Sequence, residues 1–452
     1  MKKFKKYDKY KNTDIAWLNK IPSHWTEIPN RCFLTELKNK VGKNSSKYTL
    51  LSLTKNGVII RDLSEMKGKF PAEFDSYKIV NKGNLILCLF DIEETPRTVG
   101  LSKFKGMITG AYNVLKIENV NPQFITYFYI ALDNTKELRS LYRGLRKTIK
   151  IGKFLSIKTP IPPIDEQDKI VSFIEYKEKQ INKLIKKQKK LIELLEEKKK
   201  IIITEAVTKG LDKSVPMKDS GIDYIGQIPQ NWEIKKIKQI LKQISKKKIY
   251  RGGIYIGMEN IESWTGRFNV ILNANIEGVS NIFSKGQILF GKLRPYLAKC
   301  IITDCAGLCS SELLVLKPNK DHDENFIQKL MLSKTFIDLV DASTYGAKMP
   351  RANWNFIKNI ECAIPDINEQ REIIKYINKI DEFINKLIQN KKILIEKLED
   401  YKKNLISFAV TGQIDVRDYE IPKTDDDVDL EEIENFSEDD TETISEVEYA
   451  NN

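Results

Sequence analysis

The sequence predicts an α/β protein built by internal duplication. Two mixed α+β globular domains are each followed by a long helix of coiled-coil type. Two observations predict this. Motifs recur in the same order about 200 residues apart, and two stretches carry apolar residues at steps that alternate four and three.

Asp165-Glu166-Gln167 recurs as Asn368-Glu369-Gln370, 203 residues on. At the same offset Ile181-Asn182-Lys183-Leu184-Ile185 returns as Ile384-Asn385-Lys386-Leu387-Ile388, Ala206-Val207-Thr208 as Ala409-Val410-Thr411, Asp212 as Asp415 and Pro162 as Pro365. Trp17-Leu18 and Ile21-Pro22-x-x-Trp25 match Tyr224-Ile225 and Ile228-Pro229-x-x-Trp232 at an offset of 207. Lys82-Gly83-Asn84-Leu85-Ile86-Leu87 is similar to Lys285-Gly286-Gln287-Ile288-Leu289-Phe290. A repeat of this length is a domain plus a helix, too long for a solenoid unit. The predicted division is 1–160, a first globular domain; 161–212, a first helical region; 213–363, a second globular domain; 364–415, a second helical region; and 416–452, an acidic tail.

Within the globular copies, short apolar runs bounded by Gly, Asn and Pro predict strands at 50–53, 57–60, 85–90, 114–117, 288–290 and 313–316. Residues 124–132 and 325–332 read as helices that follow Asn-containing turns. The second helical region places Ile373, Ile377, Ile380, Ile384, Leu387, Leu394, Leu398, Tyr401, Leu405 and Phe408 on one seam. The first places Ile170, Ile174, Lys177, Ile181, Leu184, Gln188, Leu191, Leu195, Lys198 and Ile202 on its seam. Gln188 and Lys391 interrupt the two seams at the same repeat position. Each seam finds its simplest partner in the other. The periodicity leaves parallel and antiparallel pairing open.

Composition sets the class. The chain has 452 residues, 41% hydrophobic and 30% charged, as a folded globular protein does. No run of about 18 uncharged apolar residues is present, and no apolar signal core follows the basic start, so a cytoplasmic protein is expected. The net charge is +13. Residues 420–452 hold fourteen acidic residues against Lys423, a net of −13, which leaves +26 on residues 1–419. A body that basic suits a polyanionic partner.

Several chemistries are disfavoured. Cys300, Cys305 and Cys309 lack zinc spacing, and neither His24 nor His322 sits where a fourth ligand would be needed. Small thiols on strands are the reading preferred for them. Gly286-x-x-x-x-Gly291-Lys292-Leu293 nearly spells a phosphate-binding loop, but Leu293 stands where a Ser or Thr would hold magnesium. The Pro162-Pro163 pair lacks the polar residue and aromatic of an adenine methylase motif, and Pro365-Asp366 with Glu369 lacks the lysine of a metal nuclease. Glu166 and Glu369 suit first turns of helices, where an acid meets the positive dipole end.

The ordered double set of motifs resembles the specificity subunits of type I restriction-modification systems. Its carriers are Ile161-Pro162-Pro163-x-x-Glu166-Gln167-x-x-Ile170 and Ile364-Pro365-x-x-x-Glu369-Gln370-x-x-Ile373, the two Ile-Pro-x-x-Trp segments and the two Lys-Gly strands, together spanning about residues 10–415. The resemblance implies two target-recognition domains that read the halves of a bipartite DNA site. It implies an antiparallel coiled coil between them and a pseudo-twofold relation of the copies. It implies methylation subunits, in two copies, and restriction and translocation subunits as partners. It also implies that this chain is not an enzyme and binds no cofactor itself, with S-adenosylmethionine, ATP and magnesium held by those partners. Adenine methylation, or restriction of an unmethylated site, would then be directed by this chain. The acidic tail departs from the compact family pattern and reads as a solvated segment. The alternative reading is a coiled-coil interaction scaffold whose basic charge is incidental.

For a DNA reader, Lys and Arg supply phosphate contacts, and Arg, Lys, Asn or Gln read base edges. The candidate contacts are Arg97, Arg143, Arg146, Lys147 and Lys150 in the first copy. In the second they are Lys292, Arg294, Tyr296, Lys348, Arg351 and Asn353. Segments 148–152 and 349–354 share little chemistry, so the expected site is asymmetric.

Overall fold

The computed structural model describes residues 4–61, 74–142, 147–249, 252–272, 278–346 and 348–422. Arg143 and Arg146, and the tail from Lys423 onward, lie outside the described residues. Two long helices, α1 (Ile164–Lys209) and α2 (Ile367–Val410), cross the boundary between two compact units. One unit draws its described residues from 4–188 and 392–422, the other from 189–391.

In the first unit, β1 (Leu34–Leu37), β2 (Leu85–Leu87), β3 (Val99–Leu101) and β4 (Asn113–Ile117) form an antiparallel sheet in the order β1-β4-β2-β3. The predicted runs at 85–90 and 114–117 contain its two central strands, and Leu85, Ile86, Leu87, Val114 and Leu115 are buried, while Lys116 faces solvent. The helix Pro122–Thr135 packs Phe124, Ile125, Phe128 and Leu132 into the same core as Leu85, Leu87 and Leu115. Asn121 caps it, its Oδ1 accepting from the backbone N–H of Gln123 and Phe124, and Pro122 occupies the first turn.

The second unit repeats this topology. Its strands β5 (Leu241–Ile244), β6 (Ile288–Gly291), β7 (Cys300–Ile302) and β8 (Leu313–Pro318) run in the order β5-β8-β6-β7, all antiparallel. The helix Glu324–Met331 takes the place of Pro122–Thr135 and is capped by Asp323 in the same way. A second, five-stranded sheet is added here, and its strand Gly307–Cys309 carries Cys309. Cys300 and Cys309 are thus buried on strands, and burial pushes the Cys309 thiol up to about 12. Of the glycine pair that imitated a phosphate loop, Gly286 precedes β6 and Gly291 is its last residue, where a Cβ would lie 2.9 Å from the Met258 side chain.

The recurring motifs fasten each sheet domain to its helix. Trp25 Nε1 donates to Glu166 Oε1 at 2.9 Å, and Trp232 Nε1 donates to Glu369 Oε1 at 2.9 Å. The neighbouring glutamines act alike. Gln167 donates to Pro162 O at 2.8 Å and accepts from Asn121 N at 2.8 Å, while Gln370 donates to Pro365 O and accepts from Asp323 N, each at 2.9 Å. Gly412 follows α2 at φ +71, and a Cβ there would sit 2.4 Å from Pro22 Cδ, so the chain can close over the Ile-Pro-x-x-Trp turn only with glycine.

Within each unit the long helices pack antiparallel. In the first, Ile170 and Ile174 share a core with Leu405 and Ala409, and Ile181 and Leu184 cluster with Leu394 and Leu398. In the second, Ile203 and Val207 share a core with Ile373 and Ile377, and Lys199 reaches Asp381 at 3.2 Å and Asn385 at 3.1 Å. Residue numbers rise along α1 as they fall along α2. The expected seam needs correction midway along α1 and at the C-terminal ends of both helices. Leu191 and Phe408 are exposed, and Ile203 rather than Ile202 is buried, with Ala206 and Ala409. A straight helix drifts by about 20° per heptad from a strict 3.5 repeat. The terminal turns also pack on a domain, which asks for a wider apolar face than a coiled-coil seam. No helix among the described residues is long and apolar enough to cross a membrane.

Candidate nucleic-acid interface

In each domain, two segments far apart in sequence meet as a short antiparallel crossing. In the second, Leu293 bridges Arg351, Arg294 N donates to Pro350 O at 2.8 Å, and Ala352 N donates to Lys292 O at 2.8 Å. In the first, Phe90 bridges Thr148, Asp91 N donates to Lys147 O at 2.9 Å, and Ile149 N donates to Leu89 O at 2.7 Å. The two crossings are one structure at an offset of 203, and they gather most of the described candidate residues.

The second crossing carries Lys292, Arg294, Tyr296, Lys348, Arg351 and Asn353. Arg294 and Lys348 are exposed, Lys292 is half-buried, and Tyr296 is 47% exposed. Arg351 is held as a fork by Glu312, Nε to Oε2 at 3.1 Å and Nη2 to Oε1 at 3.2 Å, and this carboxylate raises the guanidinium pKa. Asn353 uses its Oδ1 to cap the turn Trp354–Ile357, accepting from Asn355 N at 2.9 Å.

The first crossing carries Lys147 and Lys150, both exposed. Lys147 Nζ lies 2.8 Å from Glu94 and 3.6 Å from Glu93, and the Glu94 hydrogen bond and charge push its pKa up. Arg97 points elsewhere. Its guanidinium lies 3.0 Å from the buried Asp133 carboxylate and 3.2 Å from Asn134 Oδ1. Asp133 also accepts from Thr98 Oγ1 at 2.7 Å and from Lys136 Nζ at 2.8 Å. Arg97 thus belongs to an internal polar cluster, and the crossing's carboxylates, Glu93, Glu94 and Asp91, were not among the candidates. The repeat alignment pairs Asp91 with Arg294, which is the signal that could have found it.

Among the described residues no group of three or more His, Cys, Asp or Glu is placed to hold a metal ion. The geometry offers hydrogen-bond donors and cations on exposed turns, suited to a polyanion with polar edges.

Comparison with known proteins decides the family. The type I restriction modification DNA specificity domain matches twice, over residues 30–194 and 229–397. The chain belongs to that family. The two matches fall on the two copies of the β1-β4-β2-β3 topology. A similar curated protein is the type I restriction enzyme EcoDI specificity subunit of Escherichia coli, 21% identical over 336 residues, which cover 70% of this chain and 75% of the relative. Another is the type I restriction enzyme MjaVIII specificity subunit of Methanocaldococcus jannaschii, 24% identical over 358 residues, 75% of this chain and 81% of the relative. Among solved structures, one chain from work on complex assembly and conformational transition of the type I R-M system superposes with a TM-score of 0.59 at 12% identity, covering 88% of this chain and all of that one. At that identity the likeness speaks for the specificity-domain fold.

Proposed function

We propose that this chain is the DNA-reading specificity subunit of a type I restriction-modification complex and carries out no chemistry itself. Its two specificity domains would each read one half of a bipartite duplex site, and bound methylation subunits, in two copies, would methylate adenine there. Restriction subunits would act when the site is unmethylated. S-adenosylmethionine, ATP and magnesium would belong to those partners, and the complex would work in the cytoplasm, where its DNA would be. One observation supports this reading above others: both matched domains present an exposed polar crossing at the same place in the fold, with different side chains on it. Equal scaffolds with unequal reading surfaces suit an asymmetric site. The division at 1–160, 161–212, 213–363, 364–415 and 416–452 is proposed with it, as are the DNA contacts Lys147, Lys150, Lys292, Arg294, Tyr296, Lys348, Arg351 and Asn353, together with Arg143 and Arg146. Arg97 would contribute through the fold of its turn.

The test is methylome sequencing in a host without its own systems, expressing this chain with its methylation subunit and each alone. The expected result is one gapped, asymmetric motif, methylated only when both are present. An assembled complex that marks no gapped motif would favour a coiled-coil scaffold.

A further inference from the structure

Asp91 and Arg294 occupy one position of the duplicated fold and carry opposite charge. Both end the same strand extension, both donate their backbone N–H across the crossing, and both adopt left-handed backbone, φ 45 and φ 51. That conformation is uncommon for arginine. It is further disfavoured at Arg294 because Pro295 follows, and a residue before proline prefers extended backbone. The crossing holds it there regardless. Strained backbone of this kind concentrates at functional positions, where a side chain must be aimed.

The neighbours sharpen the distinction. Arg351 spends its fork on Glu312, Lys147 is paired with Glu93 and Glu94, and Arg97 is bound to Asp133. Arg294 and Asp91 are both exposed, and neither side chain has a hydrogen-bond or ionic partner among the described residues. An uncommitted guanidinium can give its two parallel N–H groups to guanine O6 and N7, and an uncommitted carboxylate can accept from cytosine N4. A carboxylate is repelled by phosphate, so Asp91 would gain nothing as a backbone contact.

We infer that Arg294 and Asp91 are base-reading residues of opposite hydrogen-bond polarity, Arg294 selecting guanine in one half-site and Asp91 selecting cytosine in the other. This rests on the DNA-reading function proposed above. The flanking cations, Lys292 and Lys348 on one side and Lys150 on the other, supply phosphate contacts that set each turn against the groove.

The experiment repeats the methylome measurement with R294N and D91N in the full chain, co-expressed with the methylation subunit. Asparagine adopts left-handed backbone readily, so both variants keep the turn and change only its chemistry. R294N is expected to lower discrimination about tenfold or more at one guanine of one half-site and leave the other half-site intact. D91N keeps one acceptor oxygen but adds a donor, so it is expected to shift one cytosine of the opposite half-site toward adenine, the base an amide pairs with. Should R294N not assemble, R294Q lacks the fork and carries the same expectation. A motif unchanged at every position, or both half-sites relaxed together by a single variant, overturns the inference while the wild-type motif keeps the DNA-reading function intact. A wild-type complex that marks no two-part motif removes the function on which the inference rests.

Discussion

The indole N–H of Trp25 lies 2.9 Å from Glu166 Oε1, across 141 residues of sequence. The same carboxylate accepts from the Tyr7 hydroxyl at 2.7 Å and lies 2.7 Å from His24 Nε2. Burial, then the Glu166 hydrogen bond and charge, push the Tyr7 hydroxyl far above its ordinary value, so it stays a donor. Replacing Glu166 with alanine strands two buried donors. The expected loss is about 2–6 kcal/mol, from a cost of roughly 1–3 kcal/mol per stranded group. E369A, with Trp232 as the one buried donor stranded, should cost less. Thermal unfolding of the two variants checks the order, and equal losses would contradict it.

Gln180 offers the reverse case. It is buried on α1 and its Oε1 accepts no hydrogen bond from the described residues. Leucine there removes an unsatisfied carbonyl and adds apolar surface. A gain of about 1 kcal/mol is expected, read as a higher denaturant midpoint at unchanged m-value.

Arg97 and Lys150 separate fold from binding. R97A removes a cation from the buried Asp133 cluster and should lower the melting temperature while leaving the salt dependence of DNA binding as it is. K150A should do the opposite. Its melting temperature stays level, and the slope of log affinity against log salt falls by about 1. A lowered slope for R97A would return that residue to the interface.

His322 sets a pH limit on the second domain. Burial, and then the charge of Lys235, depress its pKa, and its Nδ1 lies 3.3 Å from Gln370 Nε2. The unfolded chain therefore takes up this proton at higher pH than the folded one. Stability should be level above the ordinary histidine value of about 6.5 and fall as pH drops below it toward the depressed one. H322Q should flatten that fall in urea titrations at pH 7 and pH 5.5. An unchanged difference between the two pH values would count against it.

Much of this was legible in the sequence because it is periodic or repeated. The seam through Ile373, Ile377 and Ile384, the central strands at 85–87 and 313–318, and the caps at Asn121 and Asp323 all follow local rules. The motifs were visible as repeats, but their pairing was not, since Trp25 and Glu166 meet only through the sheet. The edge strands β1 and β5 escaped because each is short and half-polar, as edges are. At the interface, charge located the crossing in the second copy. In the first it pointed to Lys147 and Lys150 on the crossing but also to Arg97, whose partner Asp133 stands 36 residues away, and it gave no sign of Asp91, an anion in a cationic neighbourhood.

The first compact unit borrows a segment that begins at residue 392, whereas the second is a single stretch, residues 189–391. During synthesis this reverses the expected order of maturation. The second unit is complete once residue 391 has cleared the ribosome. The first, begun earliest, waits with Ile170, Ile174, Ile181 and Leu184 uncovered until Leu394, Leu398, Leu405 and Ala409 arrive. The domain translated first is the last to close, and for the time it takes to make some two hundred residues, roughly 10–40 s at about 5–20 residues per second, its helix is a nascent surface open to chaperones or to another copy of the chain.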